Sequence, residues 1–159
     1  MDRWVGVRLC APMDYVIRYA HYLAFMTLFA ALTAEHLLTA RTIDGKRARM
    51  LARLDAIYGV SALIVLGVGL LMMFGYGFGK GASYYLHNGM FHLKSTLFVL
   101  LGLLSLKQTF FFLRHRRAED SATIEVPRAI IILQRVQLLV VLAMPLLGIL
   151  ITRGVGARG

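Results

Sequence analysis

The ionisable side chains of the first long apolar segment are the residues best placed to do chemistry. The segment runs from Asp14 to Thr39, and its ionisable residues are Asp14, Arg18, His21, Glu35 and His36. At about 100° per residue they all fall in one sector of a helix, about 100° wide. An ionisable group that faces lipid in the middle of a bilayer costs at least ~2.5 kcal/mol. We therefore expect this face to line a polar site inside a helical bundle.

Composition and segment lengths indicate an all-α membrane protein. The chain of 159 residues is 58% hydrophobic, and its mean hydropathy of +0.68 is too high for an average soluble domain. A helix needs about 20 apolar residues to span a bilayer. The predicted spans are residues 14–39, 54–74, 91–113 and 129–152. They predict one integral membrane domain over residues 1–159, folded as a four-helix transmembrane bundle.

Lysine and arginine residues predict the orientation of this bundle. The polar connectors after the first and third spans, together with Lys107 near the end of the third span, hold ten of them, whereas the opposite side holds five. Arg18, Lys94 and Arg135 lie within the spans and are not counted. The positive-inside rule then places both connectors, including the basic residues 41–53, in the bacterial cytoplasm and both termini on the other side of the inner membrane. The same distribution explains the net charge of +10 without a nucleic-acid partner. Residues 1–13 are too short and polar for a signal peptide, and we expect an interfacial lead-in there.

This topology sorts the polar residues into two layers, about 21 Å apart along the first helix. The outer layer contains Asp14, Arg18, His21, Tyr84, Tyr85, His87, Asn88, His92 and Lys94. The inner layer contains Glu35, His36, Arg53, Asp55 and Tyr58. Because of their separation, one small site cannot include both layers.

The outer layer is the better candidate for a cofactor site. A neutral imidazole binds haem iron and other metals well, so His21 is the candidate ligand. A second ligand could come from His87 or His92. The alternative for His21 is a structural hydrogen bond to a neighbouring helix.

Helical spacing separates Lys94 from His92. The two residues are about 200° apart on a helix, so both cannot face one pocket. Lys94 shares its face with Ser105 and Gln108. We therefore expect Lys94 to point into the bundle and His92 to lie at the membrane interface.

The inner layer has two interpretations. Glu35 and His36 can meet Arg53 across a helical hairpin. The negative charge of Asp55 would be stabilised by the dipole at the start of the second helix. This pattern predicts a structural ion-pair network that also includes Tyr58. The alternative is a proton relay or a quinone-headgroup site near the cytoplasmic surface.

Three short segments carry a resemblance to a known family. They are AEHLL at 34–38, LARLD-x-x-YG at 51–59 and YYLHN at 84–88. Over roughly Tyr19 to Arg117 the chain resembles bacterial four-helix predicted membrane proteins classed as domain of unknown function 2214. The resemblance implies the fold and no particular activity.

The chain also resembles, more distantly, the HemJ-type protoporphyrinogen oxidases and the CopD-type copper-resistance membrane proteins. The shared features are a histidine early in the first span, here His21, and a lysine early in the third, here Lys94. In HemJ-type proteins these residues are tied to tetrapyrrole chemistry, so the resemblance implies a haem or porphyrin pocket. The chain departs from that pattern in its Gly-rich YYLHN loop and in its Glu35–His36 pair.

Three functions follow from these patterns. The first is a redox protein that binds haem b, with His21 as axial ligand or tetrapyrrole contact, and with a quinone as a possible electron partner. In this redox protein, Lys94 would pair with a propionate or exchange a proton, and Arg18 would be a charge partner to anionic groups. The second is a non-catalytic accessory or assembly subunit, within a homo-oligomer or a larger membrane complex. The third is a copper permease or sensor, for which the methionines of interest are Met72, Met73 and Met144.

Overall fold

Four long helices make up most of the protein. The computed structural model describes residues 3–75 and 81–157, with side chains from residue 13 onward. The long helices are α1 (Arg3–Leu38), α2 (Gly45–Phe74), α4 (Gly89–His115) and α5 (Arg128–Thr152). The short elements are α3 (Ala82–Leu86), β1 (Thr42–Ile43) and β2 (Ile124–Glu125). Each long helix is long and apolar enough to cross a membrane, with Met13–Leu38 as the span of α1. The predicted all-α four-helix bundle is confirmed.

The long helices form a ring. α1 packs against α2 and α5, and α4 packs against the same two helices. α1 and α4 therefore face each other across the centre of the bundle. We call the end where α1 and α4 stop the connector end, and the opposite end the terminal end.

The two connectors are fastened to each other at the connector end. β1 and β2 pair antiparallel, with Thr42 opposite Glu125. The side chain of Arg49 bonds the carboxylate of Asp120. This hydrogen bond, together with the guanidinium charge, holds the pKa of the exposed Asp120 carboxyl below its usual value. A Cβ at Gly45 would collide with the backbone of the second connector, so glycine is required there.

The second helix begins nine residues earlier than predicted. Residues 41–53 were expected to be a basic connector, but α2 starts at Gly45. The reason is a side-chain cap: the Asp44 carboxylate accepts a hydrogen bond of 2.7 Å from the Arg47 backbone N–H. α1 likewise starts at Arg3, so most of the predicted lead-in is helical. α3 and the paired strands were not predicted.

The packing of the bundle is that of a membrane protein. Its centre holds fully buried apolar side chains such as Leu32 and Val141. The outer faces of the helices carry large exposed apolar side chains, among them Leu63 of α2 at 70% and Leu139 of α5 at 69% exposure. An apolar surface of this extent needs a lipid or protein partner.

Candidate functional site

Glu35 of α1 is completely buried near the connector end. It lies on the same buried face of α1 as Leu28 and Leu32, because residues three or four positions apart share one face of a helix. The Gln134 amide of α5 donates hydrogen bonds to Glu35 Oε1 at 2.9 Å and to Thr39 Oγ1 at 3.2 Å. The second carboxylate oxygen, Oε2, is buried and has no hydrogen-bond partner among the described residues.

Asp55 and Tyr58 of α2 face Glu35 from the neighbouring helix. They lie about one turn apart and are 4% and 3% exposed. The Asp55 carboxylate lies beside the side chains of Thr109 and Gln108 on α4. It is also close enough to the Glu35 carboxylate for the two like charges to repel each other. Two acids on adjacent helices therefore share one buried region.

Three glutamines complete this region. Gln108, Gln134 and Gln137 are each 0% exposed. Gln137 lies about one turn after Gln134 on α5, and its amide reaches the Leu101 carbonyl at a long 3.5 Å. The side-chain oxygens of all three glutamines are buried without a hydrogen-bond partner in the part of the chain that is described. We call the set Glu35, Asp55, Tyr58, Gln108, Gln134 and Gln137 the carboxylate centre.

The carboxylate centre has no cationic side chain paired with it within residues 13–75 and 81–157. The ion pairs there join Arg18 to Asp14, and Lys46 and Arg49 to Asp120. Arg53, the predicted partner of Glu35, is exposed. His36 is half-buried, and its Nδ1 is buried without a described partner. The structure thus brings Glu35, Asp55 and Tyr58 together but leaves Arg53 outside.

A second polar site lies toward the terminal end, where all four long helices meet. The His21 ring of α1 is half-buried beside the Val65 carbonyl of α2, within electrostatic range of the Lys94 ammonium of α4. Its Cε1 is 3.7 Å from the position that a Cβ at Gly69 would take. The Lys94 Nζ is 3.3 Å from the corresponding position at Gly148 of α5. Two glycines therefore leave room for these side chains, which we call the His21–Lys94 pair.

The two predicted second ligands, His87 and His92, lie away from this pair. His87 is exposed and its Nδ1 contacts the Ser83 carbonyl at 2.8 Å. His92 is exposed as well, and its Nε2 contacts the Leu86 carbonyl at 2.8 Å. Arg18 is half-buried and bound to Asp14 one turn before it, at 2.8 Å. Neither exposed histidine shares a pocket with His21.

Between the two polar sites the bundle contains a small apolar cavity of about 30 Å³. Its walls come from all four long helices, and Tyr58 links it to the carboxylate centre. The other lining residues are Phe25, Leu28, Ala62, Phe98, Leu101, Gly102, Val141 and Met144. This volume suffices for a water-sized molecule but not for a macrocycle.

Classical metal-ligand clusters are absent from the described residues. No group of three or more His, Cys, Asp or Glu side chains is close enough to hold a metal ion there. Met73 and Met144 are buried, and Met144 packs in the apolar core.

The sequence comparisons identify the family. A family model described as "Predicted membrane protein (DUF2214)" matches residues 13–156. The chain belongs to the DUF2214 family. It is thus a multi-pass membrane protein, in agreement with its four apolar helices. Comparisons with curated proteins and with solved structures give no match.

In this DUF2214 member, sequence reasoning missed half of the carboxylate centre. Gln108 was expected only to face the bundle interior, which its burial confirms, and Gln134 and Gln137 were not considered. The sequence does contain a signal for Gln134 and Gln137. They stand three residues apart in an apolar helix, and Val141 and Met144 continue the same buried face. A polar pair on the buried face of a membrane helix is a marker of a functional site.

Proposed function

We propose that the protein is an intramembrane redox protein whose His21–Lys94 pair contacts an anionic tetrapyrrole, haem b. One observation carries this proposal. The His21 Nδ1 is buried without a hydrogen-bond partner among the described residues, and the Lys94 ammonium lies within electrostatic range of the ring. We place the protein in a bacterial inner membrane, with both termini on the non-cytoplasmic side.

The residues around His21 and Lys94 suit a bound haem. A histidine that binds metal through one nitrogen often donates the other ring N–H to a backbone carbonyl, and the Val65 carbonyl lies beside the ring. Lys94 has no carboxylate partner among the described ion pairs. It can therefore pair with a propionate in a medium where a lone charge is costly. Arg18, one turn earlier on α1, is already paired with Asp14, so Lys94 is the cation that this site offers to a propionate. A bound haem would supply one-electron chemistry, with a membrane quinone as the proposed electron partner.

The space inside the closed bundle limits how this group can bind. The 30 Å³ cavity is far below the size of a cofactor pocket. His21 of α1 and Lys94 of α4 lie on helices that face each other across the bundle, so a macrocycle that contacts both requires neighbouring helices to separate at the terminal end. Tyr22, which follows His21 on α1, is exposed and edge-on to the His21 ring. We therefore place the macrocycle between helices at the terminal end, not in the central cavity.

An absorption spectrum tests the proposal. Protein purified from haem-supplied cells should show a Soret band that His21→Ala abolishes and Lys94→Met weakens. His92→Ala is the matched control, because His92 is an exposed histidine outside the pair, and this variant should keep the band. A Soret band that survives His21→Ala would contradict the assignment of His21.

A colourless preparation would contradict the redox proposal itself. If such a protein is folded and co-purifies with another membrane protein, the accessory-subunit function gains support. Stoichiometric copper in a metal analysis would instead support a copper permease or sensor.

A further inference from the structure

The carboxylate centre has a charge imbalance that the redox proposal does not use. Glu35 and Asp55 contribute two acids, and neither has a cationic partner among the described residues. Two ionised carboxylates cannot remain unneutralised in an apolar interior, because the transfer of each charge out of water costs several kcal/mol. A proton or a bound cation must supply the missing positive charge.

The atoms around Glu35 and Asp55 indicate that one of the neutralising positive charges is a bound cation. The side-chain oxygens of Gln108, Gln134 and Gln137 are completely buried and have no described donor. The second oxygen of Glu35 and one oxygen of Asp55 are in the same condition, and the Gln108 Nε2 is one buried donor that has no described acceptor. A hydrogen-bond network would be expected to satisfy such acceptors. Five unsatisfied acceptor oxygens on four helices outnumber this one donor, which is the pattern of an oxygen-ligand site.

We propose that the carboxylate centre binds Na⁺ in exchange for a proton. The donors are carboxylate and amide oxygens, which are hard ligands and suit hard cations. Mg²⁺ is disfavoured, since it keeps several waters and these side chains leave little space for them. In the exchange, one protonated carboxyl loses its O–H proton as Na⁺ enters, so the charge of the centre does not change. This site is separate from the proposed tetrapyrrole site.

The groups around the centre restrict the exchange to its two acids. α1 contributes Glu35, and α2 contributes Asp55 and Tyr58. The faces of α4 and α5 packed against them carry amides and hydroxyls, and their nearby cations Lys107 and Arg135 are exposed. His36, next to Glu35, is half-buried at the edge of the centre. Because Glu35 lies one turn from the end of α1, we expect Na⁺ and the proton to pass through the connector end.

Proton release and thermal unfolding test the proposal on the full chain in detergent. NaCl added to weakly buffered, Na⁺-free protein should release up to one proton per chain, and choline chloride at equal ionic strength should release none. Na⁺ should also raise Tm, by roughly 5–10 °C at a hundredfold excess over Kd. Equal responses to both salts would overturn the proposal. A response to CaCl₂ but not to NaCl would also overturn the assignment of Na⁺.

Variants locate the response. Glu35→Gln and Asp55→Asn should abolish both the proton release and the Na⁺-dependent rise in Tm. Glu119→Gln is the matched control, because Glu119 is an exposed acid of the second connector, and it should behave as wild type. Gln134→Leu keeps both acids and should weaken Na⁺ binding about tenfold or more. Unchanged Na⁺ affinity in a folded Gln134→Leu variant would contradict the proposed ligand set, as would a lost response in Glu119→Gln.

Discussion

The Gln134 amide of α5 donates a hydrogen bond of 2.9 Å to the Glu35 carboxylate of α1, which joins two residues 99 positions apart in the chain. Both side chains are 0% exposed. The bond fixes the first and last long helices to each other at the depth of the carboxylate centre. It also orients the one Glu35 oxygen that has a partner, whereas the second oxygen is buried without one among the described residues.

Removal of the Gln134 side chain should therefore destabilise the bundle. We expect Gln134→Ala to lower the free energy of unfolding by about 1–3 kcal/mol, because a buried carboxylate oxygen loses its donor. Denaturant unfolding of the detergent-solubilised protein measures this change. Arg135→Ala, at the exposed neighbouring position, should change stability by less than about 0.5 kcal/mol. If Gln134→Ala lowered the free energy of unfolding by no more than Arg135→Ala does, the hydrogen bond would make no net contribution to stability.

The junction between Arg49 and Asp120 should weaken in acid. Since the pKa of Asp120 in the folded state lies below its unfolded value, about 3.9, its contribution is complete above that value and is lost as pH falls through the folded pKa. We expect hydrogen exchange at the β1–β2 pair to be insensitive to pH near neutrality, after correction for intrinsic rates. It should accelerate below about pH 4.

Asp120→Asn should show this faster exchange already at neutral pH. Glu125→Gln is the control, because Glu125 is an exposed acid in β2 and no ion pair joins it to a described residue. If Asp120→Asn matched wild type over the whole pH range, the ion pair would not hold the connectors together.

Gly45 should tolerate no side chain. A methyl group at this position would meet backbone carbonyls of Ala118 and Glu119, which cannot move aside as a flexible side chain would. We expect Gly45→Ala to destabilise the protein by about 1–3 kcal/mol in chemical unfolding. Gly67→Ala is the matched control within the same helix, because nothing lies within 4 Å of its Cβ position. It should be neutral or stabilising by up to about 1 kcal/mol. Similar losses for both variants would refute the close approach at Gly45.

The orientation of the bundle is open to a direct test. A reporter fused after Gly159 should be active on the non-cytoplasmic side, and one inserted after Arg117 should be active in the cytoplasm. The reason is the excess of lysine and arginine in the two connectors. The reverse pattern would place the carboxylate centre near the opposite membrane surface and leave its internal geometry unchanged.

The sequence by itself determined the class of the fold and much of the inward face. Long apolar runs predict helices in a bilayer, and one period of 3.6 residues places His21 and Glu35 on the stripe of α1 that is buried. The same period separates inward Lys94 from exposed His92. It did not fix where α2 begins, because the Asp44 cap lies inside a basic stretch that resembles a connector.

Only the tertiary structure decided which polar residues meet. Periodicity orients each helix about its own axis, but it does not say which neighbour that face contacts or at what height. Glu35 could therefore be matched with Arg53 on charge alone, whereas packing pairs it with Gln134 and leaves Arg53 exposed. The contacts among α1, α2, α4 and α5 depend on the ring order of the helices. That order arises from interactions across the whole chain, and no local stretch of sequence contains it.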